Sequence, residues 1–315
     1  MSSIHILVLN YNGLDLLREC LPSVAAAAAA SPVPTRLSVV DNASADDSRR
    51  WVAQALPQVG WIQMPDNTVL YAYNRVAADP AVEGELLLLL NNDIKVEPDF
   101  IAPLLKALQR EPGAFAAAPR YLDFEGAYNG GMHRCGRSFS VAWAGPIYPG
   151  AEAESRRAGV TLYNANGLFR RDKLLALGGF DPLFRPLGWE DTDLCCRAWA
   201  RGWPTLYEPA SLIHHKSSAS LRRHYSEHRR HALGYRNSVL WLAANAPLGQ
   251  ALAALAWAPL ALPAYLFTGR WAQAQGFLWS LGRLPRALAR RRGTHRGWWD
   301  RFTGPAAADP EQAGG

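Results

Sequence analysis

Short apolar runs alternate with longer amphipathic stretches through the first third of the chain. Ile4 to Leu9 is an apolar run closed by Asn10-Tyr11-Asn12-Gly13, the pattern of a buried strand that enters a turn. Asp15 to Ala30 predicts a helix, Leu37 to Val40 a second strand ending at Asp41-Asn42, Asp46 to Leu56 another helix, and Gly60 to Met64 a third strand. Asn67 to Ala78 reads as a loop followed by a helix. Glu85 to Leu90 contains five consecutive leucines between Gly84 and Asn91, which suits a strand buried on both faces. Pro98 to Arg110 is again helical. This alternation predicts an α/β fold around a mostly parallel sheet with right-handed crossovers. Three strands end in polar residues: Asn10, Asp41 and Asn91-Asn92-Asp93. In open α/β sheets, ligands bind beyond the carboxyl ends of the strands.

The pattern loosens further on. Pro119 to Val160, rich in Gly, Pro and aromatic residues, is expected to be an irregular acceptor-side region. Leu162 to Phe169 predicts a strand. Arg171 to Leu177 predicts a helix stopped by Gly178-Gly179, and Asp191 to Arg201 a helix closed by Gly202. Val239 to Phe267 is almost free of charge. It is long enough to cross a bilayer, but Asn245, Pro247, Gln250, Pro259 and Pro263 interrupt it. An interfacial or re-entrant segment is expected, held partly by Arg270, Arg283, Arg286 and Arg290-Arg291-Arg292 on anionic lipid. Amphipathic helices packed on the preceding domain are the alternative. The expected organisation is a domain over 1–238 with halves 1–118 and 119–238, a hydrophobic and basic helical tail over 239–300, and a disordered end over 301–315.

The 315 residues are ample for one large domain and an appendage. The formal charge of +6 is too mild to argue for nucleic acid, and no such partner is expected. None of the four cysteines forms a C-x-x-C pair, so reduced core thiols are expected. The N-terminus lacks a basic n-region and a small-residue cleavage site, so it is not read as a signal peptide, and a cytoplasmic location is expected.

Three constellations carry chemistry. A hard cation takes oxygen ligands and neutralises a diphosphate leaving group. Asp93 supplies a carboxylate for this at a strand end, with Asn91 and Asn92 beside it; a polar turn capping the strand is the plainer alternative. Gly188-Trp189-Glu190-Asp191-Thr192-Asp193 opens a helix with three acids, more than capping of the helix N-terminus needs. An aspartate beside another carboxylate can have its pKa raised toward the work of a general base. Asp191 is the candidate base, Glu190 the residue that orients an acceptor, and Trp189 a surface on which a sugar can stack. His215, after a further strand, is either a metal ligand or an ordinary core histidine. Arg222, Arg223, Arg229, Arg230 and Arg236 either bind phosphate oxygens or form a solvated helix face.

With these residues in view, the chain resembles family-2 glycosyltransferases of the GT-A fold, in particular their rhamnosyltransferase-like branch. The matching pieces are Val8 to Gly13, Val39 to Ser48, Leu88 to Asp93, Gly178-Gly179-Phe180-Asp181, Glu190 to Arg197, and His215 with Ser220 and Arg236-Asn237, in the family's order over roughly residues 4 to 240. The resemblance implies that Leu9, Asn10 and Tyr11 line a nucleotide pocket. It implies that Asp41 hydrogen-bonds the base with Asn42 and Ser44 nearby, and that Asn74 lies in the donor pocket. Asp93 would hold Mg²⁺ or Mn²⁺ on the diphosphate, His215 would be a further metal or pyrophosphate contact, and Asp191 would be the base of a single inverting displacement. The partners it implies are a nucleotide-sugar donor and a glycan or lipid-linked acceptor of cell-surface polysaccharide synthesis. Asp41, Asp93 and Asp191 are expected around one cleft. Two departures stand out. The family's Asn-x-Gly-Phe-Ala-x-x-Asn stretch reads Asn67-Thr68-Val69-Leu70-Tyr71-Ala72-Tyr73-Asn74, where Val69 removes easy access to positive φ. Asn91 stands where many relatives carry Asp. A catalytically retired binding or scaffold subunit is therefore the alternative.

Overall fold

The five-leucine run lies in the middle of a sheet. The computed structural model describes residues 2–138, 141–146, 156–216 and 224–291. Strands are β1 (Ile4–Asn10), β2 (Thr35–Asp41), β3 (Gly60–Gln63), β4 (Leu86–Asn91), β5 (Ile94–Val96), β6 (Ala116–Leu122), β7 (Tyr128–Gly130), β8 (His133–Ser138), β9 (Val141–Pro146), β10 (Gly159–Val160), β11 (Gly167–Arg170) and β12 (Thr205–His215). Helices are α1 (Leu14–Ala29), α2 (Ser48–Ala55), α3 (Ala72–Ala78), α4 (Ile101–Arg110), α5 (Arg171–Ala176), α6 (Glu190–Trp199), α7 (Glu227–Asn245), α8 (Leu248–Phe267), α9 (Trp271–Leu281) and α10 (Leu284–Ala289).

Two units divide the chain. The first takes Met1–Met132, Ile147–Phe180 and Trp203–Ser220; the second takes His133–Pro146, Asp181–Gly202 and Leu221–Gly315. In the first, the strand order is β10-β12-β6-β11-β4-β1-β2-β3, with β5 beside β12 and β7 beside β6. β4, β1, β2 and β3 run parallel, while β11 pairs antiparallel with both β4 and β6. The sheet is thus mixed, as expected for this fold. Leu87 to Leu90 of β4 are each 0% exposed: Leu88 and Leu90 share one apolar core with α1 and α4, while Leu87 and Leu89 alternate to the opposite face of the sheet. Truncating one of them to Ala costs about 2–5 kcal/mol by the usual measure of a core cavity.

The second unit holds the hairpin β8–β9, helix α6 and helices α7 to α10. Helix α7 runs through residue 238, where hydropathy had suggested a boundary. The expected irregular stretch 119–160 is corrected in part, since β6 is a fully buried strand of the large sheet and β8 pairs with β9. β6 was hard to read because Ala116-Ala117-Ala118-Pro119-Arg120 carries no β-branched residue. The strand expected over Leu162 to Phe169 shortens to Gly167–Arg170. Ser220, Arg222, Arg223, Arg292 and the end expected to be disordered lie outside the described residues. Cys20, Cys195 and Cys196 are buried free thiols.

Candidate active site

Parallel register brings the strand ends of the first unit together. Asn10 of β1 is level with Asp41 of β2, and Leu9 with Asn91 of β4. Asp41, 1% exposed, accepts four hydrogen bonds. Its Oδ1 takes Asn10 Nδ2 at 3.0 Å and the Ser44 hydroxyl at 2.5 Å; its Oδ2 takes Ser44 N at 2.9 Å and Gln63 Nε2 at 3.0 Å. Asn92 Nδ2 donates to Asn10 Oδ1 at 2.8 Å, which ties the end of β4 into the same network. Gly13 follows from this: a Cβ there would stand 2.2 Å from Asn92 Nδ2 and 2.6 Å from Asn10 Oδ1. Asp41, expected to hydrogen-bond a nucleotide base, therefore spends both oxygens on its own chain and organises the floor of the strand-end site. Leu9 and Tyr11 lie half-buried beside it, as does Ser44.

Asn42 donates from Nδ2 to Val69 O at 2.9 Å, and its buried Oδ1 has no hydrogen-bond partner among the described residues. Val69 has φ 54° although it is β-branched. The sequence argued that this position had lost access to positive φ, and the structure corrects that: the backbone path is kept and the side chain is strained into it, at about 1–3 kcal/mol for such outliers. Tyr73 points into the core, where its hydroxyl donates to Leu90 O at 2.7 Å and lies 3.1 Å from Leu7 O. Asn74, expected in the donor pocket, instead closes on Phe180, accepting its N–H and donating to its carbonyl at 2.8 Å each. Gly179 makes room for that clamp, because a Cβ there would stand 2.1 Å from Asn74 Oδ1.

Asp93 directly follows the β4 end and precedes β5. Antiparallel pairing sets Ile94 opposite His215, and this register brings together two residues far apart in sequence. Asp93 is 3% exposed, its Oδ1 has no hydrogen-bond partner among the described residues, and His215 Nε2 stands 3.5 Å from it. Among the described residues no cluster of three or more His, Cys, Asp or Glu side chains is gathered. Two protein ligands nonetheless fit a hard cation that keeps waters and takes substrate phosphates. A buried, unpartnered carboxylate oxygen facing an imidazole is a chemically suitable donor set. Asn91 N donates to Asn166 Oδ1 at 2.7 Å, a support that nothing in the local sequence around Asn166 announced.

The second unit holds the acidic motif. Trp189 precedes α6 in a left-handed conformation, φ 75°. Its indole, which the sequence offered to a sugar face, donates to Gly234 O at 3.0 Å and lies 5.2 Å from the Trp241 ring. The three acids divide. Asp193 is fixed by Arg197 Nε at 2.7 Å and Asn245 Nδ2 at 3.0 Å, so it is structural. Glu190 is buried, and among the described residues its Oε2 has no hydrogen-bond partner. Burial drives its carboxyl well above the usual range, and the neighbouring Asp191 adds to that; N–H groups at the loop and helix start oppose it. Burial also raises Asp191, to about 6, against the opposing pull of hydrogen bonds from Thr192. Neither acid forms an ion pair among the described residues. Such a pair, raised and uncompensated, can take up a proton near neutrality.

Residues 5–178 match the family described as Glycosyl transferase family 2. Over 179 residues the chain is 32% identical to the O-antigen biosynthesis protein RfbC of Myxococcus xanthus, covering 54% of this chain and 14% of that protein. Over 194 residues it is 24% identical to the uncharacterized protein y4gI of Sinorhizobium fredii, covering 58% and 21%. The chain thus spans only 14% and 21% of the length of these curated relatives. Among solved structures, mannosyltransferase PcManGT from Pyrobaculum calidifontis in complex with GDP-Man and Mn²⁺ aligns with TM-score 0.53 at 21% identity, over 91% of this chain and 86% of that one. S. aureus TarS 1-349 in complex with UDP-GlcNAc aligns with TM-score 0.56 at 15% identity, over 91% and 81%. These likenesses establish the GT-A fold.

Proposed function

We infer the reaction from one premise: the chain belongs to glycosyl transferase family 2 and is a glycosyltransferase. We propose that it moves a sugar from a nucleotide-diphosphate sugar to a hydroxyl of a glycan or lipid-linked acceptor in cell-surface polysaccharide synthesis. The acceptor oxygen attacks the anomeric carbon in a single inverting displacement. Its proton goes to Asp191, and the bond from that carbon to the diphosphate breaks. The observation that carries this reading is the Glu190–Asp191 pair, raised in pKa and left uncompensated while Asp193 is locked.

The strand ends of the first unit are the proposed nucleotide site. Asn10, Asp41, Ser44 and Asn92 hold its shape, while Leu9, Tyr11, Asn42 and Asn91 form its lining. Asp93 and His215 are the proposed ligands of Mn²⁺ or Mg²⁺, supported by the unpartnered Asp93 Oδ1 and by the Mn²⁺ in the complex of the related mannosyltransferase. When bound, such a cation neutralises charge on the departing diphosphate. Glu190 is proposed to orient the acceptor. We further propose that the chain works as a peripheral protein on the cytoplasmic face of the membrane. Helix α8 supports this: its 20 residues have a mean hydropathy of 1.4 and its apolar window is 6% buried. Trp257, Leu260, Phe267 and Trp271 are exposed, and arginines follow.

A panel of UDP-, GDP- and dTDP-linked sugars, including dTDP-rhamnose, assayed with Mn²⁺ or Mg²⁺ and lipid-linked acceptors tests the reaction. Release of nucleoside diphosphate that vanishes in Asp191→Asn supports it, and undiminished turnover in that variant refutes the assignment of the base. Sedimentation with vesicles containing anionic lipid tests the location; protein left wholly in the supernatant refutes it.

A further inference from the structure

The segment from Phe184 to Trp189 delivers the two uncompensated acids to the start of α6, and it does so through strained backbone. Gly188 has φ 92° and Trp189 φ 75°. For an L-residue such as Trp189 the left-handed conformation is sterically unfavourable. Such conformations persist only where the surroundings over-determine them, and they cluster where function needs them.

Here the surroundings are helix α7. Asn237, 0% exposed, aims its amide Nδ2 at three backbone carbonyls: Phe184 at 2.7 Å, Leu187 at 2.8 Å and Gly188 at 2.8 Å. Its Oδ1 accepts Arg236 Nε at 2.9 Å. The Arg236 guanidinium also donates to the carbonyls of Phe184 and Arg185. One turn earlier, the Gly234 carbonyl receives the Trp189 indole N–H; one turn later, Trp241 packs on the same indole. Positions 234, 237 and 241 share one helix face by their spacing. A side chain with two N–H donors and one acceptor is what this arrangement uses. An aspartate would turn a second oxygen toward three carbonyls, and an alanine would take this donor from the Leu187 and Gly188 carbonyls, leaving Phe184 to Arg236 alone.

We propose that Asn237 and Arg236 are positioning residues: from α7 they fix the backbone of 184–189 so that Glu190 and Asp191 enter α6 in the geometry the reaction uses. The proposal rests on the reading of Asp191 as the base. Neither side chain touches substrate in this scheme, so their loss acts on turnover rather than on nucleotide binding.

Steady-state release of nucleoside diphosphate from the best nucleotide sugar of the panel, with calorimetry of UDP, GDP and dTDP plus Mn²⁺, tests this in the full chain. Asn237→Ala is expected to lower kcat about 100-fold, the scale of a misplacement near 1 Å. KM for the nucleotide sugar is expected to stay within about twofold and the nucleotide affinity unchanged, since only a positioning contact is lost. Arg236→Lys keeps the charge and loses the planar fork; a kcat loss of about tenfold is expected, and this variant decides the matter if Asn237→Ala does not fold. Wild-type kcat in the folded variants, or KM and nucleotide affinity worsening in step with kcat, overturns the proposal. Asp191→Asn run alongside separates the two levels. If it is inactive while Asn237→Ala and Arg236→Lys are fully active, only the positioning role fails. If it is itself fully active, the assignment of the base fails, whatever the other variants do.

Discussion

The strand ends of the first unit and the start of α6 in the second are both acidic, yet they are built on opposite principles. At the strand ends Asp41 is saturated: four donors, two from β1 and β3 and two from Ser44 in its own turn, converge on one buried carboxylate. At α6 the acids sit close in sequence, and among the described residues only Asp193 has a cationic partner. Glu190 and Asp191 stay uncompensated on a strained N-terminal turn. A saturated carboxylate is fixed in place and holds a shape. A carboxylate raised by burial exchanges protons. The same residue type thus serves as framework in one unit and as a reactive group in the other, and burial together with the count of donors decides which.

Substitutions break this contrast in graded ways. The largest effect is expected for Asp191→Asn: a kcat loss of about 10³-fold, within the range of general-base catalysis, with unfolding stability preserved or raised. The sign of the second part follows from protonation. Asp191 goes from the ordinary 3.8 to about 6 on folding, so between those values the folded chain binds more protons than the unfolded one. Stability is therefore expected to fall as pH rises from about 4 to 6, with Glu190 adding to the loss in the same direction. Activity runs the other way, rising about tenfold per pH unit below 6 and levelling above it, because the base must be unprotonated. Urea unfolding and kcat measured at matched pH values check both.

Asp41→Ala should act in the reverse manner. Removing the shared acceptor takes from the buried Asn10 amide its acceptor at 3.0 Å and from the Ser44 hydroxyl and N–H theirs, and a loss of roughly 3 kcal/mol is expected from urea midpoints. Smallest of all, Val69→Gly is expected to stabilise the first unit by about 1 kcal/mol, because glycine adopts positive φ without strain. No gain in midpoint would mean that the Val69 side chain makes contacts worth as much as the strain.

Much of the framework was legible in the chain itself. Five leucines between a glycine and an asparagine announced β4, and the polar strand ends Asn10, Asp41 and Asn91 lay where an α/β sheet places its ligand. The contact of Asp93 with His215 was not legible from either residue alone, since it depends on the register of β5 against β12. The division of labour among Glu190, Asp191 and Asp193 was likewise hidden, because it turns on Asn245, a residue of another helix. Val69 shows the opposite failure: residue preference argued against positive φ, and tertiary contacts, including the Asn42 amide on its carbonyl, imposed it. Asn74 and Trp189 carried the right sequence signature, but the structure commits their polar groups to Phe180 and Gly234.

The division between a binding framework and a proton-transfer motif is tested most directly by calorimetry of UDP, GDP and dTDP with and without Mn²⁺. The comparison is among the wild-type chain, Asp93→Ala and Asp191→Asn. Metal-dependent binding of at least one nucleotide is expected in the wild type, unchanged in Asp191→Asn and weakened about 100-fold or more in Asp93→Ala, since that variant removes the carboxylate ligand. Binding that ignores Mn²⁺, that is absent for every nucleotide, or that falls equally in both variants would contradict it.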